Sequence, residues 1–409
     1  MNTKKRICLV SREYPPETHW GGIGTFTYHL ARGLYNIGCQ VDVICFTFGP
    51  ESCVDDNGVT LHRIQSPKVS FTHKTWWDLT KYALFPFSLF YSYKVMKKIE
   101  ELSANRPYDV IDFPEHIGEG FCSILMKKWT TLVRLYTPLS LIGELGLRRS
   151  TNILDYLLIR FIEKYSIANA TLVTSPSQNL ANLVADKFKI RKKIEIVYNP
   201  VDTDQFSPFI EEEKKDRSRV NILFVGRLED RKGVHVLAQA IPEVLRESRD
   251  VYFTLLGRDC PGLEGISSMK DYIINILDQS GCRNNVHFAD PVPYTGLSNQ
   301  YRSADIVVVP SLYDNSPYTC LEALTCGVPV VGTSAGGMPE YIEDGKCGII
   351  VPPNDSQSLT RALLKLAQDT QLRSAFGKAA RLRALSVFKR EVVAAEMVQL
   401  YDQARSQAS

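Results

Sequence analysis

Two carboxylates, Asp314 and Glu322, stand in one short stretch of this 409-residue chain, and two cations, Arg227 and Lys232, in another. Asp314 lies in the polar loop Tyr313-Asp314-Asn315-Ser316. Glu322 lies about five residues into the helix that this loop should open, roughly 7–8 Å along its axis. The pair can touch different parts of one extended ligand whose anionic centre sits at the helix start. The plainer alternative is a capping aspartate and a solvated glutamate. Arg227 and Lys232 sit between Gly226 and Gly233. A guanidinium fork and an ammonium point charge near a helix start suit a diphosphate. Two exposed basic residues would be the alternative.

Two further clusters stand at the ends of apolar runs. Tyr108 to Phe113 leads into Pro114-Glu115-His116-Ile117-Gly118-Glu119-Gly120, where Glu115 and His116 are the candidates for a site; surface loop residues are the other reading. Near the N-terminus, Gly21-Gly22-Ile23-Gly24 precedes a helical pattern from Thr25 to Tyr35. It lacks the Gly-x-Gly-x-x-Gly spacing of a dinucleotide site. Its glycines allow close approach of a ligand to the backbone, or simply make a tight turn.

These clusters need elements to position them. Ile306-Val307-Val308-Val309 is short and wholly apolar, as a strand covered on both faces must be. Pro317 suits a first helical position behind Asn315 or Ser316 as N-cap. Leu321, Ala323 and Leu324 form a packed face, Gly327 a stop, and Val328 to Val331 a second buried strand. The same strand–loop–helix rhythm opens the chain at Arg6 to Ser11 and restarts at Asn221 to Val225. The helix after Gly233 carries Pro242, which predicts a kink or an early break. The apolar pattern lapses over Glu211 to Arg217, so a domain boundary is expected near residues 200–218.

The chain is too long for one core and suits two domains. Its 44% hydrophobic and 23% charged content is that of a globular protein, and a net charge of +3 gives no reason to expect nucleic acid. Met1 to Arg6 runs straight into a strand, so no secretory signal is expected. The ten cysteines show no Cys-x-x-Cys and read as buried, reduced thiols of a cytosolic protein rather than disulfides or metal ligands. Tyr82 to Tyr93 is too short to cross a membrane and contains Pro86. It follows Trp76-Trp77 and precedes Lys94, Lys97 and Lys98; aromatics beside lysines suit a membrane interface or a core helix with a solvated end.

Taken together, the N-terminal glycine loop, Asn199-Pro200-Val201-Asp202, the Gly-Arg-x-x-x-x-Lys-Gly loop, the block from Pro310 to Gly332 and Gly336-Gly337-Met338-Pro339-Glu340 resemble glycosyltransferase family 4 over nearly the whole chain. The resemblance implies an α/β chain of the GT-B fold, with two Rossmann-like βαβ domains facing each other across a cleft. Residues 1–203 would form the acceptor-side domain and 204–387 the nucleotide-sugar domain, with a helix at about 388–409 packing back on the first. Arg227 and Lys232 would neutralise the donor diphosphate, and Glu322 would accept ribose hydroxyls. Asp314 would hold sugar hydroxyls, supported by backbone N–H groups near Ser316 to Tyr318, with Asn315 and Pro317 in the same donor-binding stretch. Gly22, Ile23 and Gly24 would approach the diphosphate, and Glu115 or His116 would face the donor sugar. Two departures stand out. The family usually has Glu where this chain has Asp314, one methylene shorter. It often has His-x-His where this chain reads Asp112 to His116.

The implied activity is retaining, metal-independent transfer from a nucleoside-diphosphate sugar to a glycan, glycolipid or other glycoconjugate, with no cofactor. The partners would be that donor and a glycan or lipid-linked acceptor, with the enzyme cytoplasmic or peripheral at the inner membrane face. The rivals are a soluble transferase acting on a small sugar or sugar phosphate, and a catalytically silent GT-B scaffold or sugar-binding protein.

Overall fold

A computed structural model describes residues 4–18, 20–65, 84–144, 153–208, 219–262 and 265–408. Trp76, Trp77 and the charged stretch Glu211 to Arg217 lie outside the described residues. The chain divides into two compact units, Met1–Pro200 with Arg390–Ser409, and Val201–Lys389.

In the first unit the strands are β1 (Arg6–Val10), β2 (Gln40–Thr47), β3 (Ser52–Asp56), β4 (Val59–Gln65), β5 (Val110–Pro114), β6 (Thr131–Arg134), β7 (Leu172–Ser175) and β8 (Glu195–Ile196). They lie in the order β3-β4-β2-β1-β5-β6-β7-β8. Every pairing is parallel except the β3–β4 hairpin at one edge. Among the described residues before the second unit, the α-helices are, in chain order, α1 (Gly22–Asn36), α2 (Leu84–Ser103), α3 (Phe121–Met126), α4 (Leu139–Glu144), α5 (Ile153–Asn169) and α6 (Gln178–Phe188). Helix α1 begins at Gly22 rather than Thr25, so Gly22, Ile23 and Gly24 form its first turn. Gly21 caps it without a side-chain hydrogen bond.

The second unit holds β9 (Val220–Val225), β10 (Val251–Leu256), β11 (Val286–Ala289), β12 (Ile306–Val309), β13 (Val330–Thr333) and β14 (Gly348–Val351), all parallel, in the order β11-β10-β9-β12-β13-β14. Its helices are α7 (Val234–Glu247), α8 (Met269–Gln279), α9 (Tyr294–Ser303), α10 (Tyr318–Thr325), α11 (Met338–Tyr341), α12 (Ser356–Gln368) and α13 (Thr370–Arg383). Helix α7 runs through Pro242 without ending there. A proline inside a helix costs about 3 kcal/mol. Val234, Leu237, Ile241, Val244 and Leu245 are buried on one face of that helix. Each apolar side chain buried contributes about 1.5–3 kcal/mol, so the packed face outweighs the proline.

The last helix, α14 (Arg390–Ala408), belongs to the first unit. It packs on α1, and the buried Tyr401 hydroxyl donates to Asp112 Oδ2 at 2.7 Å. Asp112 also accepts from Arg134 Nε at 2.5 Å.

Strand order then decides where the candidate residues meet. Renumbered within its unit, the second sheet runs 3-2-1-4-5-6, and the parallel strands of the first run 3-2-1-4-5-6-7 once the hairpin strand β3 is left out, so the order reverses between β1 and β5 and between β9 and β12. At such a reversal the loops leaving the carboxyl ends turn to opposite faces and leave a crevice, where doubly wound folds bind ligands. Glu115 and His116 follow β5. Arg227 and Lys232 follow β9, and Asp314 follows β12.

Candidate functional site

The second unit brings the cationic loop and the Asp314 loop together. Gly233 makes this approach possible: it has φ +66°, and a Cβ there would overlap the Pro310 carbonyl oxygen. Leu312 N–H donates to Arg231 O at 2.9 Å, tying the loop after β12 to the loop after β9. The loop after β13 closes the other side. Gly336 has φ +65° and leaves no room for a Cβ beside the Asp314 backbone, while Gly337 N–H donates to Asp314 O at 3.0 Å.

This setting puts Lys232 Nζ 2.7 Å from Asp314 Oδ2. Only 18% of the Lys232 side chain and 13% of the Asp314 side chain are exposed. Burial lowers the Lys232 ammonium below its ordinary value, with Asp314 pulling the other way. Burial pushes the Asp314 carboxyl up, but Lys232, then Arg231, then the Ser316 N–H outweigh it and hold it low. The contact has the geometry of a close ion pair. Arg231, which sequence reasoning passed over, lies 3.8 Å from Asp314 Oδ2 and donates to Glu229 Oε1 at 3.0 Å. Arg227 reaches the same Glu229 oxygen at 3.1 Å. Three cations thus contact two carboxylates, Glu229 and Asp314, at one strand end.

Helix α10 starts at Tyr318, one residue later than expected, with Pro317 at the N-cap and no side-chain cap. Proline has no N–H and takes an extended ψ of 117° here, which suits the cap rather than the first turn. The Ser316 hydroxyl and the Tyr313 hydroxyl are buried with no hydrogen-bond partner among the described residues. Buried polar groups are normally satisfied, so these point to a ligand or water.

Glu322 is not solvated. It is 3% exposed, and Tyr301 hydroxyl donates to its Oε2 at 2.7 Å. Burial pushes its carboxyl up to about 8, while hydrogen bonds from Tyr301 and Tyr294 pull it down. Both tyrosines lie on α9, seven residues apart and so on one face. That spacing was the available sequence signal for them.

In the first unit, Glu115 is wholly buried. Its oxygens accept Tyr136 N–H at 2.9 Å and Thr137 N–H at 2.8 Å, clamping the loop after β6. Burial pushes it up to about 8 against those N–H groups. His116 is pushed down to about 4 by burial and then by Arg12, so its imidazole is neutral at pH 7. Glu119 accepts Arg12 N–H at 3.0 Å and is pushed up to about 7, chiefly by burial. The structure does not bring Glu115's carboxylate to an open surface; its role here is to hold backbone.

Residues 20–205 match the family described as Glycosyltransferase Family 4, and residues 206–383 match Glycosyl transferases group 1. The chain belongs to glycosyltransferase family 4. An uncharacterised glycosyltransferase of Methanocaldococcus jannaschii is 28% identical over 410 residues, 97% of each chain. Among solved structures, sucrose-phosphate synthase from Thermosynechococcus elongatus superposes with a TM-score of 0.77 at 19% identity, over 98% of this chain and 100% of that one. The Anabaena protein HepE in complex with UDP-glucose gives a TM-score of 0.69 at 18% identity, over 97% and 99%. At these identities the superpositions establish the GT-B fold, and the two Rossmann-like units are those of a GT-B glycosyltransferase. No helix among the described residues of this family 4 chain is long and apolar enough to cross a membrane.

Proposed function

We propose that this family 4 enzyme moves a sugar from a nucleoside-diphosphate sugar to a glycan, glycolipid or other glycoconjugate, retaining the anomeric configuration without a metal ion. The observation that carries the reading is the Arg227–Arg231–Lys232 cluster packed against Glu229 and Asp314 at the β9/β12 reversal. A diphosphate leaving group gains negative charge as the glycosidic bond breaks. Lys232 and Arg227 stabilise that charge, and Lys232 is already oriented by Asp314, so little reorganisation is needed. The HepE complex with UDP-glucose supports this class of donor. Glu322, at the fifth position of α10, takes the ribose hydroxyls by displacing a tyrosine hydroxyl. Asp314 holds sugar hydroxyls beside Asn315, Ser316 and Tyr318. His116, neutral at pH 7, can accept from or donate to a sugar hydroxyl, with Glu115 fixing the loop nearby. Gly22, Ile23 and Gly24 offer backbone N–H groups at the start of α1, suited to an anion.

The chemistry asks for no protein nucleophile. The departing phosphate oxygen takes the acceptor proton as the acceptor attacks from the same face, and the protein positions and stabilises. A thermal-shift screen against UDP, GDP, ADP and TDP and their sugars tests the donor class, since a ligand of the folded state raises the melting temperature. One base should stand out, and its sugar should be hydrolysed slowly with release of the nucleoside diphosphate, with or without EDTA. Binding without any hydrolysis or transfer would favour the silent scaffold. Inverted product by NMR of the anomeric proton would refute retention.

A further inference from the structure

The outer side of α3 and α5 carries apolar residues in water. On α5, Ile153, Leu154, Leu157 and Phe161 are 53–77% exposed. At 100° per residue they share an arc of about 100° with Lys164, over about 16 Å of helix. The helix does not need this face to fold, because Ile159 and Ile162 on the opposite side are buried against Ile117.

The charges are sorted in the same way. Both acids of α5 point inward and hold backbone. Asp155 accepts Leu84 and Phe85 N–H at 3.0 and 2.8 Å. Glu163 accepts N–H groups of Ile117, Leu139 and Ser140. Lys164 points outward. The Phe161 ring continues onto α3 through Phe121, 6.3 Å away. Helix α3 has no acidic residue, exposes Leu125 and Met126, and is followed by the exposed Lys127 and Lys128. Lys128 reaches Glu100 at 3.0 Å, so Lys127 and Lys164 supply the uncompensated charge among the described residues here.

We propose that this α3–α5 face docks the protein on a bilayer surface containing anionic lipid, the apolar side chains entering the headgroup boundary and the lysines meeting phosphate. An apolar stripe with a basic edge, and with no exposed acid on either α3 or α5, is complementary to such a surface. A second copy packed face to face would set lysine against lysine. The proposal rests on the reading that the acceptor is lipid-linked, and it gives an enzyme with no spanning helix among its described residues a way to that acceptor.

The test is flotation of the full chain with phosphatidylcholine vesicles and with vesicles that also contain phosphatidylglycerol. Wild type should float with the second only. The double variant Leu157→Glu/Phe161→Glu should lose about tenfold or more in partitioning, as should Lys127→Glu/Lys164→Glu. Both should keep the wild-type melting temperature and donor-induced thermal shift. Equal flotation of the variants, or no flotation of wild type, would overturn the docking face while leaving the transferase reading intact. A wild-type dimer that Leu157→Glu/Phe161→Glu converts to a monomer would assign the face to self-association instead. Absence of any donor shift in wild type would remove the donor reading, whatever the flotation shows.

Discussion

Replacing Lys232 with alanine tests the centre of the argument. Its ammonium lies 2.7 Å from Asp314 and its side chain is 18% exposed, so it works in a medium of intermediate polarity. Two unit charges about 4 Å apart interact by about 4 kcal/mol at an effective dielectric of 20. Partial exposure discounts that figure. Loss of one preorganised charge-stabilising donor costs about 2.7–4 kcal/mol, or about 100–1,000-fold in kcat. We expect Lys232→Ala to cut turnover at least about 100-fold. The loss should fall on kcat more than on KM, because charge on the leaving group grows only as the bond breaks. Asp314 keeps Arg231 at 3.8 Å, so the fold should survive. The assay is steady-state release of nucleoside diphosphate with a verified donor, with melting temperature measured alongside. Turnover near wild type in a folded variant would refute the role given to this lysine.

Three further outcomes are expected. Gly233→Ala should lower the melting temperature and abolish the donor-induced shift, since positive φ and the overlap with Pro310 both oppose a Cβ; wild-type values would show that the loops do not meet as described. Glu322→Gln should weaken donor binding about tenfold, read by titration calorimetry, while Tyr301→Phe should chiefly cost about 1–2 kcal/mol of stability through the lost hydrogen bond; undiminished affinity in Glu322→Gln would remove the ribose contact. The protein should melt at lower temperature at pH 8.5 than at pH 6. Glu115 and Glu322 are raised to about 8, and Glu119 and Glu163 to about 7. The folded state therefore holds more protons than the unfolded chain between about pH 5 and 8, so stability falls as pH rises through that window. A melting temperature that climbs over the same range would contradict the burial of these carboxyls.

How much was legible beforehand differs from residue to residue. The strand–loop–helix unit around Asp314 and Glu322 was readable because Ile306 to Val309 is a buried strand by composition alone. The one-residue error at Pro317 is a boundary matter: proline's fixed φ suits both the cap and the first turn. The start of α1 was misplaced by three residues because glycines depress local helix propensity, and packing of the buried Gly24 to Leu34 face overrides that. Pro242 was over-weighted for the same reason.

Local pattern was enough to determine two repeats of alternating strand and helix, their strand-end loops, and which loops carry charge. Those depend on the period of apolar residues and on backbone chemistry within a few positions. It could not determine partners. Lys232 meets Asp314 across 82 residues, and Tyr301 meets Glu322 across 21, because β9 and β12 are neighbours and α9 lies beside α10. Nor could it tell a carboxylate that waits for a ligand from one, like Glu115, that tertiary packing has removed from water and satisfied with main-chain N–H groups. Strand order and burial are properties of the whole unit, and those two decided which charges are left to act.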